Sequence, residues 1–175
     1  MNKQQIQKTE AHITTLPREI DQSLAVALGE MVVAFGRLED MFKVAIKRLE
    51  NKRTLDQIIV DFSGMRGTLG ALTSHCRSNF PMLSENCDEA EKLNTHRQDF
   101  IHATFAATEK GRYVRFRKLM GYADINTDVE QIRGITENAN SLIEELDRKT
   151  GALLNDLEKS NKFIATVSVA SSFRS

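Results

Sequence analysis

With 175 residues, 41% hydrophobic and 27% charged, the chain is long enough for one domain with a sizeable core and has an ordinary soluble composition. Its 24 basic and 24 acidic residues cancel. No overall positive field therefore draws it to nucleic acid, although a local basic patch remains open. Two cysteines, Cys76 and Cys87, sit in no CxxC pair and make no disulfide framework, which fits a cytoplasmic protein. The polar start, Met1-Asn2-Lys3-Gln4-Gln5, has no signal core, and no run reaches transmembrane length, so no membrane association is expected.

Residues 1–16 read as an N-terminal arm. Pro17 suits a first helical turn, with Glu19 and Asp21 at the positive end of the helix dipole. From Ile20 to Leu49 the spacing predicts a long helix. Leu24, Leu28, Met31, Phe35, Leu38, Phe42, Ala45 and Leu49 form its stripe, and Val32, Met41 and Ile46 widen it. Arg37, Asp40, Lys43 and Lys47 take the other side. Gly29 and Gly36 weaken this helix and are expected to let a second helix approach closely.

Thr54 and Asp56 open the next helix, with Leu55, Ile58, Ile59 and Phe62 as its apolar face. Ser63-Gly64-Met65-Arg66-Gly67 interrupts it, and Leu69, Leu72 and Cys76 carry it on until Phe80-Pro81 forces a stop. Ser84 is the expected cap of a third helix. Ala90, Leu93, Arg97 and Ile101 lie on one side of that helix. Cys87, Asn94, Gln98 and His102 form a second stripe that is polar where a core stripe should be apolar.

After His102 the period shifts. Residues 103–108 and 113–119 flank Glu109-Lys110-Gly111-Arg112 and predict a β-hairpin. Lys110 to Lys118 holds five basic residues and no acid. A last helix follows, with Thr127 and Glu130 as a capping box. Val129, Ile132, Ile135, Ala139, Leu142, Leu146, Leu153 and Leu157 supply its apolar face. Its acidic side, nine acids against three bases from Asp124 to Glu158, reads as a solvated face. Residues 161–175 are expected to form a mobile tail. The reading is an all-α fold: an up-and-down bundle of four to five helices over residues 17–160, with a small β-hairpin inserted after the third helix.

The candidate chemistry lies at Arg97 and His102. A histidine titrates near neutrality, so it can take a proton from a ribose 2′-hydroxyl or give one to a leaving 5′-oxygen. An arginine keeps its charge and grips phosphate oxygens at two points. Gln98, one turn before His102, is placed to orient either partner. These parts suffice for RNA cleavage through a 2′,3′-cyclic phosphate with no metal and no cofactor. Five residues on a regular helix leave the two side chains about 140° apart. A frayed helix end, or two helices facing across a dimer axis, relieves this, so the mechanism predicts a homodimer with a composite site. Arg112, Arg115 and Arg117, interleaved with Tyr113, Val114 and Phe116, suit a phosphate backbone with Tyr113 available for stacking. The opposing reading is a charged edge strand that discourages aggregation. His75-Cys76 and Cys87 with His96 fit no zinc spacing, and both thiols are expected to be buried.

The order of these pieces resembles the HEPN superfamily of small helical domains, found in prokaryotic toxins, phage-defence proteins and RNA-processing enzymes. A helix with Phe35-Gly36-Arg37-Leu38-Glu39 comes first, then Phe62-Ser63-Gly64-Met65-Arg66, then Leu93-Asn94-Thr95-His96-Arg97-Gln98-Asp99-Phe100-Ile101-His102. The resemblance implies that Arg97 and His102 are the catalytic pair of an endoribonuclease of toxin or phage-defence type, with RNA as substrate and an antitoxin as a further partner. Gln98 stands where the family often has asparagine. The resemblance adds Glu39 as a polar residue near the site; its plainer role is pairing with Lys43. Some members of the superfamily do not cleave RNA and serve as binding or dimerisation modules, which is the alternative for this chain.

Overall fold

The computed structural model describes residues 22–50, 54–62, 68–101, 104–107, 113–117, 121–127 and 129–172, with side chains for those up to 101 and for 129–159. The N-terminal arm, the 63–67 interruption, His102, Arg112 and the 109–112 turn lie outside them. Five α-helices dominate the described residues: α1 (Gln22–Glu50), α2 (Leu55–Phe62), α3 (Thr68–Asn79), α4 (Ser84–Ile101) and α5 (Val129–Ser172). α5 runs past residue 160, where the sequence places the end of the domain.

A three-stranded antiparallel sheet, β1 (Thr104–Ala107), β2 (Tyr113–Arg117) and β3 (Gly121–Thr127), stands where a two-stranded hairpin was expected. Its centre is β2, with Phe105 opposite Arg115 and Ala107 opposite Tyr113 on one side. Phe116 is opposite Tyr122 and Val114 opposite Asn126 on the other, and the register shifts between these two pairs. Thr127 ends β3 and therefore does not cap a helix; α5 starts at Val129. The Thr127/Glu130 pair imitates a capping signal because threonine serves both a strand and an N-cap.

The chain divides into two compact units, residues 1–36 with 91–140 and residues 37–90 with 141–175. In the first, Leu24, Met31 and Phe35 of α1, Leu93 and Phe100 of α4, and Ile132, Ile135 and Ala139 of α5 are buried. In the second, the buried set includes Leu38, Phe42 and Ile46 of α1, Ile58 and Phe62 of α2, Leu69 and Leu72 of α3, and Leu142 and Leu146 of α5. Most of these recur at three- and four-residue steps, the period that turns one stripe of a helix inward.

Some expected core positions are not core. Val32, Leu55, Ile59 and Leu157 are exposed, because each lies at the margin of its stripe, where rotation of the helix carries it into solvent. Gly29 and Gly36 do not mark a close approach among the described residues: a methyl at either would meet nothing within 4 Å.

Two helix starts use different devices. Thr54 Oγ1 accepts from the Gln57 N–H at 3.3 Å while Gln57 Oε1 accepts from the Thr54 N–H at 2.9 Å. This is a reciprocal capping box that satisfies two donors of the first turn. Ser84, by contrast, is not a cap. It has helical angles, φ −57° and ψ −43°, and the chain enters α4 from a 3₁₀ turn over Pro81–Leu83.

Candidate functional site

Arg97 lies on α4 one turn before its last residue, Ile101. It is half-buried. Its guanidinium sits over the ring of Phe35 on α1, 5.3 Å from the centroid. Nη1 donates to Asn94 Oδ1 at 3.3 Å, one turn back on the same helix. The cation thus has an aromatic face on one side and an amide on the other, a placement that restrains a side chain which would otherwise range through solvent. Its buried Nε makes no hydrogen bond. In the same unit the Oδ1 of Asn140 on α5 is also buried without a hydrogen bond.

Gln98 and Asp99 are half-buried beside Arg97, whereas His96 is exposed. Phe100 turns into the core at 3% exposure. The polar stripe of α4 is therefore graded: Cys87 is buried, Asn94 and Gln98 half-buried. His102 follows Ile101 and lies outside the described residues. Tyr113, Arg115 and Arg117 take alternate positions along β2, the central strand. Glu39 is half-buried on α1 in the second unit, and Lys43 closes an ion pair with Asp40 at 2.8 Å.

The second unit holds a cluster that sequence spacing did not single out. His75 Nε2 on α3 donates to Glu50 Oε1 on α1 at 2.6 Å, and Phe62 of α2 meets the imidazole edge-on, centroids 5.6 Å apart. The next residue, Cys76, is fully buried, as is Cys87 of α4. A hydrogen bond with Cys87, together with burial, pushes the Cys76 thiol far above the ordinary thiol range, so it stays protonated and a poor nucleophile. Nearby, Lys149 of α5 donates to Asn86 Oδ1 at 3.1 Å and pairs with Glu145 at 2.8 Å. The hydrogen bond from Lys149 holds the Glu145 carboxyl below its usual range and raises the ammonium. Only the contacts reveal this cluster, because Glu50, His75 and Cys87 come from three separate helices.

No group of three or more His, Cys, Asp or Glu side chains suited to a metal ion occurs among the described residues. No described helix is long and apolar enough to cross a membrane. No family model, curated protein or solved structure matches the chain.

Proposed function

We propose that the chain is a metal-independent endoribonuclease of toxin or phage-defence type, acting in the cytoplasm on RNA at a site formed across a homodimer. The observation that carries this reading is Arg97: a cation held half-buried near the end of α4 by Phe35 and Asn94, with Gln98 beside it. Restrained charge is what transition-state stabilisation requires, because it need not be reorganised when the phosphate becomes more negative. The HEPN-like order of motifs supports the same assignment.

In this mechanism His102 removes the proton from a ribose 2′-hydroxyl. The 2′-oxygen bonds to phosphorus, the bond from phosphorus to the 5′-oxygen breaks, and a histidine returns a proton to that oxygen. Arg97 neutralises the non-bridging oxygens throughout, and Gln98 orients the imidazole or the phosphate. Arg112, Arg115, Arg117 and Tyr113 hold the RNA strand beyond the scissile bond, and an antitoxin restrains the enzyme.

The test is cleavage of mixed structured and single-stranded RNA in excess EDTA. Wild type leaves 2′,3′-cyclic phosphate ends, and His102→Ala and Arg97→Ala each lose roughly 100-fold or more. Arg97→Lys, which keeps charge and much of the packing, separates chemistry from folding. Equal cleavage by all variants would sink the assignment.

A second reading also rests on Arg97. An arginine packed on a ring and tied to its own helix can serve as a structural cross-piece, which favours a non-catalytic HEPN-like module that contacts a nucleotide or protein partner. Binding of RNA without cleavage, lost in Arg115→Ala, would select it.

A further inference from the structure

One face of α1 is apolar and open. Val26, Val32 and Val33 are 48%, 46% and 62% exposed, and Gly29 and Gly36 lie among them with nothing among the described residues within 4 Å of a methyl at either. These positions recur at the steps that line one side of a helix. Burial in a core explains the leucines, alanines and phenylalanines of α1, but nothing among the described residues needs these valines to be apolar or these glycines to be small. Small residues let two helix backbones come close, and exposed valines then gain contact area.

The charges beside the strip identify its occupant. Glu30 and Arg37 are both exposed. Seven residues turn a helix through about 700°, roughly 20° short of two full turns, so the two lie on the same edge of the strip. When two identical helices pack antiparallel about a two-fold axis, like edges meet and the order along them reverses. Glu30 of one copy then stands level with Arg37 of the other, and the reverse pair forms on the far side of the axis. In a parallel two-fold pair the edge that carries Glu30 and Arg37 would instead meet the opposite edge of the strip, and neither Glu30–Arg37 pair would form.

We propose that α1 pairs antiparallel with α1 of a second copy of this chain, about a two-fold axis beside Val33, with Glu30 of each copy against Arg37 of the other. The pairing goes beyond the nuclease reading, which asks for two copies without naming the surface that joins them, and it holds whether or not RNA is cut.

The test is sedimentation equilibrium of the full chain without RNA, over a concentration series. Wild type is expected to pass from monomer to dimer. Glu30→Arg and Arg37→Glu each set two like-charged pairs in the interface and should weaken the dimer by about tenfold or more. An equimolar mixture of those two variants restores both opposite-charge pairs, so a heterodimer of near wild-type affinity should form. Gly36→Leu should abolish the dimer while leaving the monomer's melting temperature level or higher, since the space is open and leucine is the better helix former. A wild-type chain that stays monomeric throughout would overturn the proposal. So would charge reversals that dimerise as wild type does, or a mixture that fails to associate. RNA cleavage, assayed separately, reports on the nuclease reading alone.

Discussion

The two units reach a buried core by the same helical periodicity but finish their polar groups differently. In the unit around Glu50 and His75, separate helices are tied by directed contacts: His75 to Glu50, Arg48 to Asp147, Arg77 to Asp88 and Lys149 to Glu85 and Asn86. In the unit around Arg97, the guanidinium rests on a ring face of α1, and the two buried side-chain atoms that make no hydrogen bond among the described residues, Arg97 Nε and Asn140 Oδ1, belong to it. Leaving a buried polar atom unbonded costs about 1–3 kcal/mol. The first arrangement is what stability selects. The second carries two buried polar atoms whose cost the surrounding apolar packing must offset.

The largest expected effect tests whether the ring or the charge dominates around Arg97. Phe35→Ala removes a fully buried side chain and should cost about 3–5 kcal/mol in urea unfolding. Combined with Arg97→Met in a double-mutant cycle, it should show a coupling of about 0.5–2 kcal/mol. Zero coupling would mean that the guanidinium merely rests against the ring. In the other unit, His75→Ala removes the bond to Glu50 and the edge contact with Phe62. It should cost roughly 1–3 kcal/mol by the same measurement. A loss as large as that of Phe35→Ala would make the polar ties, rather than the core, the dominant support there.

The smallest effect concerns the half-buried Lys149–Glu145 ion pair. Glu145 has its carboxyl lowered by Lys149. Its contribution is therefore present above the ordinary carboxylate range and lost as pH falls through the lowered folded value. Lys149, raised by the same partner, contributes below the ordinary lysine range and loses that contribution as pH rises through its raised value. Thermal melts of Lys149→Met across pH should show a shallower acid limb than wild type. An unchanged limb would place acid sensitivity elsewhere.

Much of the helical framework was legible because burial follows spacing. Leu24, Met31, Phe35, Leu38 and Phe42 on α1, and Ile132, Ile135, Ala139, Leu142 and Leu146 on α5, can be read from the period alone. Contacts between helices were not legible. Nothing local tells Phe35 that it will face Arg97, or Glu50 that it will face His75. Buried polar residues escaped for a related reason. Thr73 and Thr150 are fully buried, and each hydroxyl donates to a carbonyl of its own helix, Gly70 at 3.0 Å and Leu146 at 2.7 Å. Such a threonine satisfies itself, so polarity ceases to predict exposure. The strand β3 was hidden by the Thr127 signal, since Gly121–Thr127 mixes apolar and polar residues without strong β-branching. Of the candidate site, Arg97 and Gln98 stand on α4 as the spacing placed them, but the anchoring ring could come only from the fold.

The paired thiols of Cys76 and Cys87 have a practical consequence at the bench. Both are fully buried, and the raised Cys76 thiol supplies almost no thiolate at neutral pH. The folded chain is therefore a quiet background for maleimide chemistry. A single cysteine introduced on the surface would take a fluorophore or spin label selectively, with both native residues left in place.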